Sequence, residues 1–138
     1  MLPRLVLDTT TLVSAFFWEG NEAELFRKIE QGQGILFITG EILKEIEEVI
    51  KRPKFNEVMR KVNLTPEHIM QKIVSLSHLV ITPQLNIEIC RDSKDNKFIE
   101  CAIIAAAQYI VTGDTDLLVL KEYKSIKITT TTEILKLI

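Results

Sequence analysis

The sequence predicts an α/β fold of three layers, in which helices cover both faces of a central, mostly parallel sheet of about five strands. Two observations support this prediction. Short, continuous apolar runs, typical of strands buried on both faces, alternate with segments whose apolar residues recur at the helical period. Two of these runs, residues 5–7 and 109–111, are also followed closely by an acid, Asp8 and Asp114 respectively.

The size and charge of the chain limit the classes of protein to consider. Its 138 residues, 46% of them apolar, predict a single domain, residues 1–138, with a full hydrophobic core. A net charge of −2 excludes a polycation, so contact with RNA would require a local basic patch. No apolar stretch reaches the roughly 18 residues of a membrane helix. Cys90 and Cys101 lack a disulfide-like spacing, which predicts reduced thiols in a cytoplasmic protein.

The first half of the chain alternates strands and helices. Thr9, Thr10 and Thr11 offer side-chain hydroxyls that can cap a helix directly after the first strand. Gly32 ends the second helix, and Gly40 separates the second strand from a strongly amphipathic third helix. The predicted elements are strands over residues 4–7 and 35–39, and helices over residues 12–17, 22–31 and 41–51.

The second half continues the alternation. Thr65 followed by Pro66 is typical of a helix start, and Thr132 is the expected cap of the last helix. A helix rich in alanine precedes the strand before Asp114, and its small side chains allow close packing. The predicted elements are helices over residues 54–62, 65–77, 95–107, 117–120 and 132–137, and strands over residues 79–81, 109–112 and 126–128.

Four acids are expected at one edge of this sheet. Ligands of parallel sheets bind outside the carboxyl ends of the strands, where Asp8 and Asp114 stand. Glu45 lies one turn into the helix after the second strand, and Asp95 begins the alanine-rich helix. Because carboxylates held together repel one another, they favour a hard divalent cation, Mg²⁺ or Mn²⁺. Such a cation can activate water for attack on a phosphodiester.

Each acid also has an ordinary structural explanation. An aspartate beside a turn or a strand end commonly caps the next helix, and Glu45 alone would be a solvated residue of a helix surface. The capping explanation applies to Asp8, Asp92, Asp95, Asp114 and Asp116. The metal-site hypothesis therefore depends on all of these acids falling at strand ends of one architecture.

Four motifs span nearly the whole chain: Val6-Leu7-Asp8-Thr9, Ile42-Leu43-Lys44-Glu45, Arg91-Asp92-Ser93-Lys94-Asp95-Asn96-Lys97-Phe98 and Val111-Thr112-Gly113-Asp114. Together they resemble the PIN-domain family, and more narrowly its VapC-like branch of toxins from toxin–antitoxin pairs. The resemblance implies a metal-dependent ribonuclease that hydrolyses single-stranded RNA. It also implies a homodimer restrained by a protein antitoxin.

The resemblance assigns a role to individual residues. It makes Asp8, Asp95 and Asp114 the metal ligands. It makes Glu45 the second acid of the catalytic set, and Thr112 the residue that supports Asp114 from its strand.

Two positions depart from the family pattern. Thr10 stands where the family usually has an asparagine that buttresses the site. The third acid aligns either with Asp95 or with the next residue, Asn96; we favour Asp95, with Asp92 as the substitute. Asp116 is an accessory acid or a helix cap.

Basic residues that could guide RNA follow the third helix. A local concentration of positive charge, interrupted by Glu57, consists of Lys51, Arg52, Lys54, Arg60 and Lys61. Contacts of Lys51, Arg52 and Lys54 with phosphate would be salt-sensitive. The alternative is an ordinary solvated surface. Phe17 and Trp18 are expected in the core, with a dimer or antitoxin interface at Trp18 as the second interpretation.

Two other functions compete with the nuclease. A phosphatase of the haloacid dehalogenase type needs a second acid two residues after its nucleophile, where this chain has Thr10. The other rival is a catalytically degenerate PIN-like module that binds RNA or protein. Thr10 and Asn96 keep that alternative open.

Overall fold

The computed structural model describes residues 2–82 and 93–138, so that Cys90 and the candidate acid Asp92 lie outside the described residues. Within these ranges the strands are β1 Arg4–Leu7, β2 Ile35–Ile38, β3 Ser77–Leu79, β4 Tyr109–Val111, β5 Glu122–Tyr123 and β6 Ile126–Thr129. The α-helices are α1 Thr9–Phe17, α2 Asn21–Glu30, α3 Gly40–Ile50, α4 Asn56–Lys61, α5 Pro66–Leu76, α6 Asn96–Ala105, α7 Thr115–Leu118 and α8 Thr131–Leu135. Short 3-10 turns, Pro53–Phe55 and Ser93–Asp95, precede α4 and α6.

The described strands form one sheet in the order β3-β2-β1-β4-β6-β5. Each neighbouring pair is parallel except β5 and β6, which are antiparallel. The predicted three-layer α/β fold with a mostly parallel sheet is confirmed, with a two-residue strand, β5, added at one edge. The strand order reverses between β1 and β4, the kind of switch point where α/β sheets bind ligands.

The β1 strand occupies the centre of the hydrophobic core. Leu5, Val6 and Leu7 are at most 1% exposed, which explains why the strand is continuously apolar. Helix α6 packs on this strand and on β2 and β4, and its buried Ala102 and Ala105 permit the close approach. The site described below therefore stands on rigid, buried strands.

The ends of α6 and α8 show why helix bounds depart from those that the sequence predicts. Helix α6 stops at Ala105 because Ala106 is left-handed, with φ of 52°, and the Ala107 amide donates to the Ala102 carbonyl at 2.9 Å. Helix α8 is capped by Thr130, not Thr132. The Thr130 hydroxyl and the Glu133 side chain satisfy each other's backbone amides in a capping box.

The third strand is displaced by two residues from its predicted position. It covers Ser77–Leu79, because Ser77 pairs with Leu36 and Leu79 with Ile38. The apolar pattern marked residues 79–81, but pairing with β2 decides the register. Ile81 is 86% exposed.

Of the two aromatic residues at the end of α1, Phe17 lies in the core and Trp18 lies at the surface. Phe17 is 5% exposed, as expected, whereas Trp18 is 54% exposed. The expectation that Trp18 is a core residue was wrong. Across the described ranges, no helix has the length and apolar character that crossing a membrane requires.

Candidate metal centre

Asp8 links the first strand to the first helix. Its backbone amide donates to the Val111 carbonyl of β4 at 3.1 Å, which extends the β1–β4 pairing by one residue. Its side chain then accepts the Thr11 amide at 2.9 Å and caps α1. This cap corrects the prediction that threonine hydroxyls begin the helix. Because Asp8 takes that role, α1 starts at Thr9, three residues earlier than predicted.

Thr112 joins Asp8 to the end of β4. The hydroxyl of this fully buried residue donates to the second carboxylate oxygen of Asp8. The Thr112 hydroxyl oxygen also accepts the backbone amide of Asp114 at 2.9 Å. One hydroxyl thus fixes both predicted acids, because it acts as a donor to one and as an acceptor from the other.

Asp114 is the N-cap of α7, and its Oδ1 accepts the Asp116 amide at 2.9 Å. This placement corrects the interpretation of Asp116 as the cap. Asp116 lies instead in the first turn of the helix, where its side chain can turn towards the same edge of the sheet as Asp114.

Three carboxylates come together at this edge. Asp95, Asp114 and Asp116 each offer an oxygen, and these oxygens lie within 4.8 Å of one another. Asp95 is buried, and Asp114 and Asp116 are partly buried. Ionised carboxylates so close together repel one another. An all-oxygen donor set of this kind fits Mg²⁺ or Mn²⁺.

The group differs from the predicted ligands in one member. Asp116 stands in it with Asp95 and Asp114, whereas Asp8 lies beside it, held by Thr11 and Thr112. Asp8 still interacts electrostatically with Asp114. The role of each acid as a metal ligand stays a prediction.

The environment of Asp8 disfavours its charge. Burial raises the pKa of the Asp8 carboxyl above its ordinary value, and the negative charge of Asp114 raises it further. Hydrogen bonds from Thr11 and Thr112 oppose this shift without cancelling it. A cation bound nearby would offset the repulsion between Asp8 and Asp114 and favour the charged form of Asp8.

Glu45 is separated from the three aspartates. It projects from α3 and forms an ion pair with the Lys97 ammonium, whose side chain is only 12% exposed. Lys97 also donates to the Lys94 carbonyl at 2.6 Å. Glu45 is therefore held at α6, the helix that begins directly after Asp95.

Sequence reasoning gave Lys97 no role. One signal was present, since a lysine in the first turn of a helix opposes the helix dipole. A nearby acid can compensate a cation at such a position, and in this fold that acid is Glu45.

The remaining predicted residues lie outside the group of three aspartates. Thr10 is exposed and lines a pocket together with Glu45. Lys51, Arg52 and Lys54 are all exposed. The Lys51 ammonium pairs with Glu47 at 3.7 Å, and that of Lys54 lies 5.1 Å from the centre of the Phe55 ring.

Comparisons with known proteins agree with this fold. The family model described as PIN domain matches residues 4–116. An uncharacterized protein of Methanocaldococcus jannaschii is 32% identical over 129 residues, which cover 91% of this chain and 80% of that protein. The structure of the PIN domain of human SMG5 superposes with a TM-score of 0.52 at 15% identity, covering 98% of each chain. At that identity, the last comparison supports the fold alone.

We expect Asp8→Asn to stabilise the metal-free protein at neutral pH. Because the pKa of Asp8 is raised on folding, the free energy of unfolding falls as pH rises through the interval between its unfolded and folded pKa values. The amide removes this penalty and still caps α1, but its NH2 group must donate to the Thr112 hydroxyl, from which the carboxylate accepted, so the expected gain is limited to about 0.5–1 kcal/mol. Urea denaturation in EDTA measures it.

The pH dependence provides the control for this prediction. As pH is lowered towards the ordinary pKa of an aspartate, Asp8 becomes protonated in both states and the gain should shrink. A variant that is less stable than the wild type at neutral pH would contradict the assignment of the penalty to the Asp8 charge.

Proposed function

The chain belongs to the PIN-domain family, and on that premise we propose that it is a metal-dependent endoribonuclease acting on single-stranded RNA. PIN domains are typically nucleases, which makes a nucleic acid the expected substrate class. The observation that supports the proposal most directly is the group of Asp95, Asp114 and Asp116 beside Asp8. It stands at the carboxyl ends of β1 and β4, where the strand order reverses.

The three aspartates would hold Mg²⁺ or Mn²⁺ as oxygen ligands. A bound ion of this kind lowers the pKa of a coordinated water and neutralises charge on a phosphodiester. Thr112 keeps Asp8 and Asp114 in fixed positions through its hydroxyl. Asp8 adds a fourth carboxylate beside the centre, where it can accept a proton from water or complete the ligand set.

The Glu45–Lys97 pair has a positioning role in this proposal. Lys97 fixes the direction of the Glu45 carboxylate, because an ion pair with a largely buried ammonium restricts both side chains. Glu45 lines two pockets, one together with Thr9 and Thr10 of α1 and one together with Lys97 of α6. In this position Glu45 would orient the substrate or a water molecule for reaction at the acidic group.

A non-catalytic PIN-like module that binds RNA or protein is the second candidate. The observations that favour it are Thr10, where the family usually has asparagine, and Asn96, an amide directly beside Asp95. Both would weaken the hold on a cation. If the chain is such a module, we expect neither metal binding nor cleavage of RNA.

We expect Asp114→Asn to lower RNA cleavage by roughly 100-fold or more, because a bound metal contributes several kcal/mol to the stabilisation of charge. The amide keeps the cap of α7, so the protein should remain folded. Cleavage of a long single-stranded RNA with Mn²⁺ or Mg²⁺, and its loss in EDTA, measure the effect. Asp8→Asn should also abolish cleavage.

Glu45→Gln and Glu48→Gln form a matched pair for the same assay. Both residues lie on α3, but only Glu45 contacts Lys97. We expect cleavage to fall in Glu45→Gln and to persist in Glu48→Gln.

Metal binding separates the nuclease from the second candidate. Mn²⁺ should raise the melting temperature of the wild type by binding the native state, and Asp114→Asn should lose this rise. Metal binding without cleavage of RNA would mean that the site is a metal centre but that the proposed substrate is wrong. A melting temperature indifferent to Mn²⁺, together with intact RNA, would favour the binding module.

Replacing Lys51, Arg52 and Lys54 together by alanine should weaken RNA binding. For every phosphate that these side chains neutralise, the slope of log affinity against log salt should become shallower by about 0.7. The matched control replaces Lys121, Lys124 and Lys127, three exposed lysines at β5 and β6, with the same change in charge. Equal effects of the two triple variants would remove any special role of the first set.

The finer proposal is that this nuclease is the toxin of a toxin–antitoxin pair, acting as a homodimer restrained by a protein antitoxin. The sequence resemblance supports it. Induced expression should arrest growth of the host cell, and expression of Asp114→Asn should not. Growth that is unaffected by a protein shown to cleave RNA in vitro would argue against a toxin.

A further inference from the structure

A pocket of about 530 Å³ opens next to the start of α1, the helix that Asp8 caps. We call it the aromatic pocket. Residues of α1, of α3 and of the turn before α4 line it, among them Thr10, Trp18, Glu45, Arg52, Lys54 and Phe55. Its volume falls within the range of small-molecule sites.

Aromatic side chains form one wall of this pocket. The ring centres of Trp18 and Phe55 lie 6.4 Å apart, and those of Phe17 and Phe55 lie 5.1 Å apart in a stacked arrangement. Trp18 also meets Phe17 edge-on at 5.7 Å. Two aromatic contacts therefore hold Trp18 in place although the residue is 54% exposed. A rigid, exposed ring is a platform on which a planar group can stack.

Cations border the same wall. Arg52 and Lys54 line the aromatic pocket. In the described parts of the chain, neither of them has a carboxylate within ion-pair distance. Arg52 also lines an adjoining pocket of about 400 Å³, whose described lining includes the cations Lys44, Lys94 and Lys97. Glu41, Glu45 and Glu48 line the adjoining pocket as well, and Lys97 is paired with Glu45, so Arg52 is the cation that the two pockets share.

Two features of the chain relate the aromatic pocket to the proposed metal centre. Thr9 and Thr10 line it and directly follow Asp8 in the chain. Glu45 borders both pockets and pairs with Lys97 of α6. A strand whose phosphate reaches the acids would place an adjacent nucleoside in this pocket.

We propose that the aromatic pocket is a nucleobase subsite, in which one unpaired base of the RNA stacks on Trp18 while Arg52 and Lys54 contact the flanking phosphates. This inference rests on the proposed function and names the feature of the substrate that is recognised. Bases in a duplex are stacked on each other and are unavailable to Trp18. The subsite therefore selects single-stranded RNA.

The test uses binding without cleavage. Trp18 is the single tryptophan of the chain, so its fluorescence reports directly on the pocket. Asp114→Asn in EDTA is titrated with a short single-stranded RNA of mixed sequence. We expect saturable quenching by this RNA, and little quenching by the same sequence as a duplex or by an abasic strand of equal length.

Variants then measure how much the aromatic wall and the bordering cations each contribute to RNA affinity. The affinity is measured by the fluorescence anisotropy of labelled RNA. Stacking predicts that Trp18→Ala weakens binding by roughly tenfold and that Trp18→Phe restores part of the loss. Arg52→Gln should weaken binding and flatten its salt dependence. The control variants Leu137→Ala and Lys136→Gln, at exposed residues that do not line the pocket, should bind as their parent does.

The outcomes distinguish this inference from the nuclease itself. RNA binding that leaves Trp18 fluorescence unchanged, or that survives Trp18→Ala, would overturn the subsite, and a protein segment would become the better occupant. Cleavage by the wild type under the same conditions would leave the nuclease intact. Quenching by a wild type that cleaves nothing would instead overturn the nuclease and retain the subsite.

Discussion

The parallel pairing of β1 with β4 is the constraint on which the site depends. It brings two strand ends together although more than 100 residues separate Asp8 from Val111 in the chain. The Asp8 amide continues the pairing, and the Thr112 hydroxyl connects the carboxylate of Asp8 with the backbone of Asp114. These short polar contacts at the edge of a buried sheet transmit the rigidity of the core to the acids.

The same arrangement concentrates negative charge where it is costly. Asp8 is buried, its pKa is raised, and Asp95, Asp114 and Asp116 stand close to one another. Helix starts offset part of this cost, because Asp8 and Asp114 accept amides at the beginning of α1 and α7. The capping and metal-ligand interpretations of these acids are therefore compatible. One carboxylate can satisfy a helix start and still present an oxygen to a cation.

The cations that line the two pockets and the three aspartates form two distinct sets of residues. Lys97 is committed to Glu45, while Arg52 and Lys54 lie along the aromatic pocket. Such separation suits a polyanionic substrate, whose backbone needs cations along its path and whose reacting phosphate needs a metal. The exposed ring of Trp18 suits the same substrate, because each nucleotide carries a base with an apolar face beside the charged backbone.

The sequence by itself determined the alternation of strands and helices, the parallel sheet, and the placement of Asp8 and Asp114 at strand ends. These features follow from local apolar period and from the rule that parallel strands end at one edge. The cap of α8 was also within reach of the sequence, as the local Thr-x-x-Glu pattern of Thr130 and Glu133. The tertiary structure alone decided the register of β3. It also brought Asp116 to Asp95, turned Glu45 to Lys97 and left Trp18 exposed. Each of these depends on contacts between residues distant in the chain or on side-chain direction, which apolar period does not encode.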